Sequence, residues 1–333
     1  MNLVIPMAGK GKRLRPHTLT TPKPLIPIAG KPIVQRLVED IAAVTPDKIE
    51  QIGFVIGDFE DHIIDSLYEI AKSVGATAHI FRQEEALGTA HAVHCAREVL
   101  SGNVTVAFSD TLFKANFTLN TEDDGIIWVK RVEDPSAFGV VNLDIEGVIT
   151  EFVEKPKNPG SDLAIIGIYY FKDGEKLKKE LDRIIDNNIM AGGEYQLTTA
   201  LENLKQAGVR FTTGTVDEWL DCGNKKATVE SNSRYLGFLN KNIVAESAVI
   251  ENSVILPPVF IGENVVVKNS IIGPYVSVGK NATLTDSHIK DSLVQNETTL
   301  KGVNLVNSMV GNHVIMEASP VDVSLGDFSE WKK

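Results

Sequence analysis

A glycine-rich basic segment follows the first apolar run of the chain. Residues 9–25 read Gly-Lys-Gly-Lys-Arg-Leu-Arg-Pro-His-Thr-Leu-Thr-Thr-Pro-Lys-Pro-Leu, with cations at Lys10, Lys12, Arg13, Arg15 and Lys23. Glycine lets a backbone approach a ligand closely, and successive backbone N–H groups can cradle a phosphate. The spacing matches neither a Walker loop nor a Rossmann fingerprint. We therefore expect an anion site here, with a solvated basic loop as the alternative.

Strand and helix patterns alternate around this segment. Short apolar runs predict strands over residues 3–7, 52–56, 77–81 and 104–108. Apolar residues at helical spacing predict helices over residues 32–44, 61–74 and 89–100. Strands separated by helices of this length indicate βαβ units in a parallel sheet, which binds ligands at the carboxyl ends of its strands.

Strand patterns come closer together beyond residue 125. They cover residues 126–132, 140–143, 148–153 and 164–171. Such short connections favour antiparallel strands added to the sheet. Further helices are expected over residues 175–187, 195–206 and 225–239, with a last strand over 209–216.

The last hundred residues carry a six-residue aliphatic repeat. It runs through Ile243, Val249, Ile255, Ile261 and Val267, slips by one residue, and resumes at Ile272, Val278 and Leu284. This period is typical of a parallel β-helix, in which three hexads make one coil, and about 75 residues give about four coils. We expect a catalytic domain over 1–240, a β-helix over 241–320 and a tail over 321–333.

Composition restricts the class of protein. The 333 residues carry 33 Lys and Arg against 44 Asp and Glu, a formal net charge of −11. Acidic chains repel polyanions, so we expect no nucleic-acid partner, whereas a small phosphorylated ligand needs only a local basic pocket. Cys95 and Cys222 form no C-x-x-C pattern, which favours a reducing compartment. With neither a signal-peptide pattern nor a membrane-length apolar run, we expect a cytoplasmic protein with no membrane partner.

A series of short motifs extends the basic segment along the chain. In order they are Gly-x-Gly-x-Arg-Leu-x-Pro-x-Thr from Gly9, Pro22-Lys-Pro-Leu25, Gln83 with Leu87-Gly-Thr-Ala90, Ser109-Asp110, Phe138-Gly-Val-Val141, Glu154-Lys-Pro156, Ile166-Gly-Ile-Tyr169, Gly193-Glu-Tyr-Gln-Leu197 and Trp219-Leu-Asp-Cys-Gly223. Each motif alone is weak, but the ordered set over residues 1–240 resembles the sugar-1-phosphate nucleotidylyltransferases, also called nucleotide-sugar pyrophosphorylases. The resemblance implies a Rossmann-like α/β domain with a mixed, mostly parallel sheet, followed by a short left-handed β-helix.

The resemblance also implies a reaction and a set of roles. A sugar-1-phosphate oxygen attacks the α-phosphorus of a nucleoside triphosphate, and pyrophosphate leaves, with Mg²⁺ as cofactor; dTTP or UTP with glucose-1-phosphate is the expected pair. By resemblance, catalytic residues are Arg13, Lys23, Asp110 and Asp221, of which the two aspartates hold the metal. By resemblance, nucleotide-binding residues are Ala8, Gly9, Gly11, Lys12, Gln83, Gly88 and Thr89. By resemblance, sugar-phosphate-binding residues are Gly139, Glu154, Lys155, Gly167 and Glu194.

Two residues depart from the family's pattern. Lys12 replaces the small hydroxyl residue that usually precedes the arginine, and Ser109 replaces the glycine before the metal aspartate. Neither change removes a charged catalytic group, so we expect activity to survive. His91 and His94 have a metal-like spacing on a predicted helix but no third ligand nearby, and we expect them to be structural.

Alternative functions remain open from the sequence. One is a non-catalytic nucleotide-sugar-binding regulatory protein, and another is a GTP and mannose-1-phosphate enzyme. A bifunctional enzyme with an acyltransferase β-helix is disfavoured, because that segment is short and its only histidines are His288 and His313. We expect the β-helix to serve assembly or regulation, and the protein to be a homo-oligomer.

Overall fold

The elements of the computed structural model alternate as the sequence pattern predicts. The structure describes residues 1–116, 118–156, 160–319, 324 and 326–330. Up to residue 239 the strands are β1 Asn2–Pro6, β2 Pro27–Ile28, β3 Lys31–Pro32, β4 Gln51–Ile56, β5 Thr77–Arg82, β6 Val104–Ala107, β7 Thr111–Lys114, β8 Gly125–Arg131, β9 Gly139–Leu143, β10 Ile149–Glu154, β11 Leu163–Phe171, β12 Phe211–Thr215 and β13 Glu218–Asp221. The α-helices are α1 Ile33–Val44, α2 Asp61–Ser73, α3 Thr89–Cys95, α4 Gly174–Asp186, α5 Leu197–Gln206 and α6 Lys225–Leu239.

Two units divide the described chain. The first comprises Met1–Ile26 and Lys31–Ala227, and the second comprises Pro27–Gly30 with the described residues from Thr228 onward. The domain bounds 1–240, 241–320 and 321–333 stay a prediction. Residue 320 and, within the expected tail, residues 321–323, 325 and 331–333 lie outside the described residues. Within the described chain, no helix combines the length and apolar character that crossing a bilayer requires.

The first unit is built on one mixed sheet. Its order is β10-β9-β11-β6-β1-β4-β5, with β8 beside β11 and β12 beside β8. Strands β6, β1, β4 and β5 are mutually parallel, whereas β11 runs antiparallel to β6 and β8. The mixed α/β sheet is therefore confirmed.

Helices cover the sheet with the apolar faces that the spacing predicts. Val34, Leu37, Val38 and Ile41 of α1 are fully buried. One predicted helix is wrong in length, because 89–100 divides into α3 and a 3-10 turn at Arg97–Val99. At Ala96 the backbone amide bonds three residues back, which tightens the chain out of the α-helical pattern.

The second unit contains three stacked parallel sheets. Their strands are β14 Ile243–Val244, β15 Val249–Glu251, β16 Val254–Ile255, β17 Val259–Ile261, β18 Val266–Lys268, β19 Ile271–Ile272, β20 Val276–Val278, β21 Thr283–Thr285, β22 His288–Lys290, β23 Ser292–Val294, β24 Thr299–Lys301, β25 Asn304–Val306, β26 Met309–Val310 and β27 Ile315–Glu317. Every third strand pairs in parallel, as in β15-β18-β21-β24-β27. This is the architecture of the expected left-handed β-helix.

Coils of the β-helix are shorter than three full hexads. Val249 pairs with Val266 and that residue with Thr283, so these coils contain 17 residues, and later ones contain 16. The expected inward positions Ile243 and Val249 are therefore wrong by one residue. Ile250 occupies the register of the buried Val267, and Val249 is 43% exposed.

Polar residues close the corners and one face of this unit. Asn252, Asn269 and Asp286 have positive φ angles of 46°, 50° and 50°, and their side chains form a ladder with bonds of 2.9 and 3.0 Å. Asparagine and aspartate tolerate this left-handed conformation, so they suit the sharp corners. Elsewhere, the buried side chain of Asn232 on α6 accepts hydrogen bonds from the Ala29 amide and the Ser277 hydroxyl group.

Candidate active site

Two carboxylates that are far apart in sequence meet through backbone pairing. Strand β13 runs antiparallel to β7 and places Asp221 opposite Thr111. The amide of Cys222 donates to the carbonyl oxygen of Asp110 at 3.0 Å. Asp110 follows β6 at the carboxyl end of the sheet, where β1 and β5 also end. The main sheet therefore places Asp110 at the edge where parallel strands bind ligands, and the separate β7–β13 pair brings Asp221 beside it.

Lys23 lies against the first carboxylate. Its Nζ donates to Asp110 Oδ2 at 2.9 Å, with the lysine side chain 10% exposed and the aspartate side chain 42% exposed. The lysine begins a 3-10 turn and stands between Pro22 and Pro24. Proline fixes its own φ and restricts the residue before it, so this segment holds the ammonium group in place.

The second carboxylate is partly buried beside the first. Burial raises the pKa of Asp221, and the neighbouring Asp110 carboxylate raises it further. The amide of Gly223 donates to Asp221 Oδ1 at 2.8 Å. A Cβ at position 223 would lie 2.9 Å from that oxygen and 3.3 Å from Arg13 Nη2. Glycine therefore permits the Arg13 guanidinium to approach the carboxylate pair.

A cavity of about 420 Å³ lies along the basic segment. Its walls come from the ends of β1, β5 and β6 and the start of α3. Lining residues are Pro6, Met7, Ala8, Gly9, Gly11, Lys12, Arg13, Lys23, Pro24, Gln83, Ala86, Gly88, Thr89, Ala92, Phe108, Ser109, Asp110, Glu194 and Gly223. The cavity therefore combines backbone that a phosphate can approach with three cationic side chains.

A second cavity of about 450 Å³ adjoins the first. Both are lined by Arg13, Thr89, Phe108 and Asp110. The remaining lining residues of the second are Thr111, Ala137, Phe138, Gly139, Glu154, Ile165, Ile166, Gly167, Tyr169, Leu197, Thr198, Trp219, Asp221 and Asn224. Two ligands bound in these cavities would therefore meet at Arg13 and Asp110.

The far end of the first cavity is shaped by the segment before α3. Gly88 has φ 119° and ψ 176°, a conformation that is essentially restricted to glycine. A Cβ there would lie 2.4 Å from the carbonyl oxygen of Tyr195. Gln83 Nε2 donates to the Gly88 carbonyl at 3.3 Å and lies 3.1 Å from His91 Nδ1. The next residue, Thr89, accepts the Leu197 amide on its hydroxyl oxygen.

Most of the residues expected from the sequence lie on these two cavities. The first is lined by Ala8, Gly9, Gly11, Lys12, Arg13, Lys23, Gln83, Gly88, Thr89, Asp110 and Glu194, and the second adds Gly139, Glu154, Gly167 and Asp221. Glu194, expected to contact the sugar phosphate, lines the first cavity. Lys155 lines neither; its side chain is 64% exposed, and its Nζ lies 3.5 Å from the carboxylate of Glu154.

Several side chains on the second cavity were missed as site residues. Thr198 Oγ1 donates to Glu154 Oε2 at 3.3 Å, which orients that carboxylate. The rings of Phe138 and Trp219 meet edge to face at 4.8 Å. Phe138 and Trp219 belong to two of the sequence motifs described above, and those motifs were the signal that could have identified them as site residues. The two residues that depart from the family's pattern, Lys12 and Ser109, both line the first cavity.

The described residues contain no group of three or more His, Cys, Asp and Glu side chains suited to a metal. The pair of aspartates nevertheless fits Mg²⁺, which usually takes one or two carboxylates together with substrate phosphates. Their proximity, which raises the pKa of Asp221, is the electrostatic strain that a divalent cation relieves.

This fold and this site define a class of α/β protein that binds phosphorylated ligands at the carboxyl edge of its sheet. The model of the nucleotidyl transferase family matches residues 3–237, and the chain belongs to that family. The family generally uses a divalent metal ion. Membership of this family implies a nucleoside triphosphate and a sugar-1-phosphate as substrates.

Individual relatives are similar to this chain in sequence or in fold. The Bifunctional protein GlmU of Methanocaldococcus jannaschii is 34% identical over 263 residues, covering 77% of this chain, and the chain spans only 60% of that relative's length. Glucose-1-phosphate thymidylyltransferase of Streptomyces antibioticus is 31% identical over 343 residues, covering 94% of this chain and 93% of that one. A structure of UDP-glucose pyrophosphorylase complexed with UDP-glucose, 23% identical, shares the fold over 71% of this chain and 98% of that one, with a TM-score of 0.57.

Proposed function

We propose that this protein is a sugar-1-phosphate nucleotidylyltransferase. Two adjoining cavities that meet at Arg13 and Asp110 are the observation that carries the proposal. An oxygen of the sugar-1-phosphate attacks the α-phosphorus of a nucleoside triphosphate and forms a new P–O bond. The bond between the α-phosphorus and the bridging oxygen to the β-phosphate breaks, and pyrophosphate leaves with that electron pair.

The first cavity takes the nucleoside triphosphate. Backbone N–H groups of residues 8–11 suit close contact with phosphate oxygens, with Lys12 nearby. Arg13 has a planar fork of donors that matches a phosphate, and it lies where the two cavities meet. Lys23 supplies a positive charge whose position is fixed by its ion pair with Asp110. These cations offset the repulsion between two anionic substrates and stabilise charge that develops in the transition state.

The second cavity takes the sugar phosphate. Glu154 accepts from Thr198 and offers its remaining carboxylate capacity to sugar hydroxyl groups. Gly139 and Gly167 leave the walls open, and the Phe138 ring supplies an apolar surface for a sugar face. Lys155, exposed beside Glu154, is proposed to fold inward over the phosphate when the sugar binds.

Asp110 and Asp221 are proposed to hold Mg²⁺. When bound, this ion neutralises phosphate charge and orients the reacting groups. The chain's own contribution is the fixed geometry of the pair, since the β7–β13 pairing and the Gly223 amide hold both carboxylates.

A thymidine or uridine triphosphate with glucose-1-phosphate is the proposed substrate pair. The Streptomyces antibioticus thymidylyltransferase supports this choice, because it matches nearly the full length of both chains. A homo-oligomer in the cytoplasm remains part of the proposal, and sedimentation of the purified protein tests the assembly.

A matrix of nucleoside triphosphates against sugar-1-phosphates tests the function, with pyrophosphate release measured in the presence of Mg²⁺. We expect release with dTTP or UTP and glucose-1-phosphate. Release only with GTP and mannose-1-phosphate would overturn the substrate assignment. Tight nucleotide-sugar binding without any release across the matrix would support the regulatory alternative instead.

A further inference from the structure

A histidine outside both cavities contacts the glutamine that lines the first. His91 lies on α3, and its Nδ1 is 3.1 Å from Gln83 Nε2. We propose that His91 is a positioning residue, which fixes the orientation of the Gln83 amide and so selects nucleotides whose base carries a ring N–H group. The inference rests on the proposed function, because it concerns the base of the nucleoside triphosphate bound in that cavity.

The orientation of the Gln83 amide follows from its partners. The Gly88 carbonyl oxygen lies 3.3 Å from one terminal atom of the amide and can only accept a hydrogen bond. That terminal atom must therefore be the NH₂ group. The same group points at His91 Nδ1, so the ring nitrogen accepts as well. Both amide hydrogens then have a partner, and both acceptors lie on the α3 side.

His91 can accept only when it is neutral at Nδ1. Burial lowers the pKa of His91, the nearby His94 lowers it further, and Glu85 opposes them in part. The ring of Tyr195, which lies in the segment before α5, has its centroid 6.4 Å from that of the His91 ring. Near neutral pH the imidazole is therefore uncharged, and the tautomer with its proton on Nε2 leaves Nδ1 free to accept.

The Gln83 oxygen is left to face the ligand. Among the described residues no donor is bonded to Oε1, and Gln83 lines the first cavity. The pocket therefore offers an acceptor from this side chain and withholds its donor. Uracil and thymine carry a ring N–H at N3, which matches an acceptor, whereas the N3 of cytosine is itself an acceptor and is repelled. The base selection follows from one amide orientation.

His94 provides a matched control on the same helix. It lies three residues further along α3, and its Nε2 is 2.9 Å from Asp182 Oδ1, whereas it is His91 that contacts the Gln83 amide. Replacing it perturbs α3 to a similar degree without touching the amide. Asparagine at position 91 places a side-chain oxygen near the position of Nδ1, so His91→Asn retains an acceptor that cannot be protonated.

The test measures kcat/KM for UTP, dTTP and CTP with glucose-1-phosphate in the wild type, His91→Leu, His91→Asn and His94→Leu. In His91→Leu we expect KM for UTP and dTTP to rise about 3- to 10-fold, the effect of losing one hydrogen bond, with kcat nearly unchanged. The preference over CTP falls by a similar factor because the amide can rotate. His91→Asn restores the preference, and His94→Leu keeps it.

A pH profile separates positioning from a merely structural role. Protonation turns Nδ1 into a donor that repels the Gln83 NH₂ group, so the wild-type preference for UTP over CTP falls as the pH is lowered and His91 takes up a proton. The ratio cancels the shared titration of the phosphates, and His91→Asn shows no such fall. An unchanged preference in His91→Leu, together with a flat wild-type profile, overturns the role of His91. Failure of the wild type to turn over any nucleotide instead overturns the proposed function.

Discussion

Gly88→Ala tests the shape of the first cavity at the end where we propose that the base binds. The added Cβ would stand 2.4 Å from the Tyr195 carbonyl oxygen and 2.8 Å from its amide nitrogen. That backbone cannot retreat freely, because its carbonyl accepts from Ala90 and its amide donates to Leu87, each at 2.8 Å. The substitution must therefore strain the φ angle of 119° and break at least one of these hydrogen bonds.

The expected cost follows from these two effects. A residue other than glycine in this conformation costs about 1–3 kcal/mol, and each lost backbone hydrogen bond adds about 1 kcal/mol. Gly88→Ala should destabilise the protein by about 2–5 kcal/mol and lower Tm by about 5–15 °C. Because the same segment lines the cavity that we propose for the nucleotide, KM for the nucleoside triphosphate should rise at least about 10-fold.

Thermal unfolding and initial-rate kinetics measure both effects, with Gly147→Ala as the matched control. Gly147 also has a positive φ, 79°, but a Cβ there meets nothing within 4 Å. The control should lose only about 1 kcal/mol and keep its KM. Equal Tm values for the two variants, with an unchanged nucleotide KM in Gly88→Ala, would refute the steric reasoning.

Other predictions concern stability. Asn232→Ala removes the acceptor of the buried Ala29 amide and of the Ser277 hydroxyl and should cost about 2–4 kcal/mol in chemical unfolding; a loss below about 0.5 kcal/mol, half the usual value of one hydrogen bond, contradicts it. Leu284→Ala opens a cavity in the β-helix core and should cost about 2–5 kcal/mol. Burial, followed by a neighbouring lysine, lowers the pKa of His17, so its contribution to stability is present above pH 6.5 and falls as pH drops below that value. His17→Asn should flatten this part of a stability profile, and an unchanged slope contradicts the assignment.

The central strands of the sheet could be predicted from their apolar runs because these strands are buried on both faces. Residues 3–7 and 52–56 are continuous apolar runs, and they form neighbouring parallel strands whose central residues are fully buried. The break after α3 could not be predicted, since Ala96 fits a helix by propensity and leaves it only through local hydrogen bonding. Tertiary packing decides such boundaries.

The β-helix repeat was predicted with its register partly wrong. The slip between Val267 and Ile272 is a regular five-residue side of the coil, and it recurs between Leu284 and Ile289. A strict six-residue frame extended backward from Ile255 therefore drifts by one residue. Because side chains in a strand alternate between faces, that drift exchanges an inward for an outward position.

The sequence predicted which residues line the candidate site better than it predicted how they are placed relative to one another. Asp110 and Asp221 are 111 positions apart, and only the pairing of β7 with β13 brings them together. Glu194 lines the first cavity and Lys155 lines neither cavity, and these positions could not be predicted because a local motif does not fix where a loop side chain points. His91 was interpreted as structural, and its contact with Gln83 arises only when α3 packs beside the end of β5.

The most direct test of the central claim is pyrophosphate release from dTTP and glucose-1-phosphate with Mg²⁺ in the wild type, Asp110→Asn and Asp221→Asn. Asp162→Asn, an exposed aspartate paired with Arg131, is the control. Each substitution removes one of the two anionic ligands that we propose for Mg²⁺. We therefore predict that the rate of pyrophosphate release falls at least about 100-fold in both variants, with folding retained and the control unaffected. Rates within about two-fold of wild type in either variant would contradict the account.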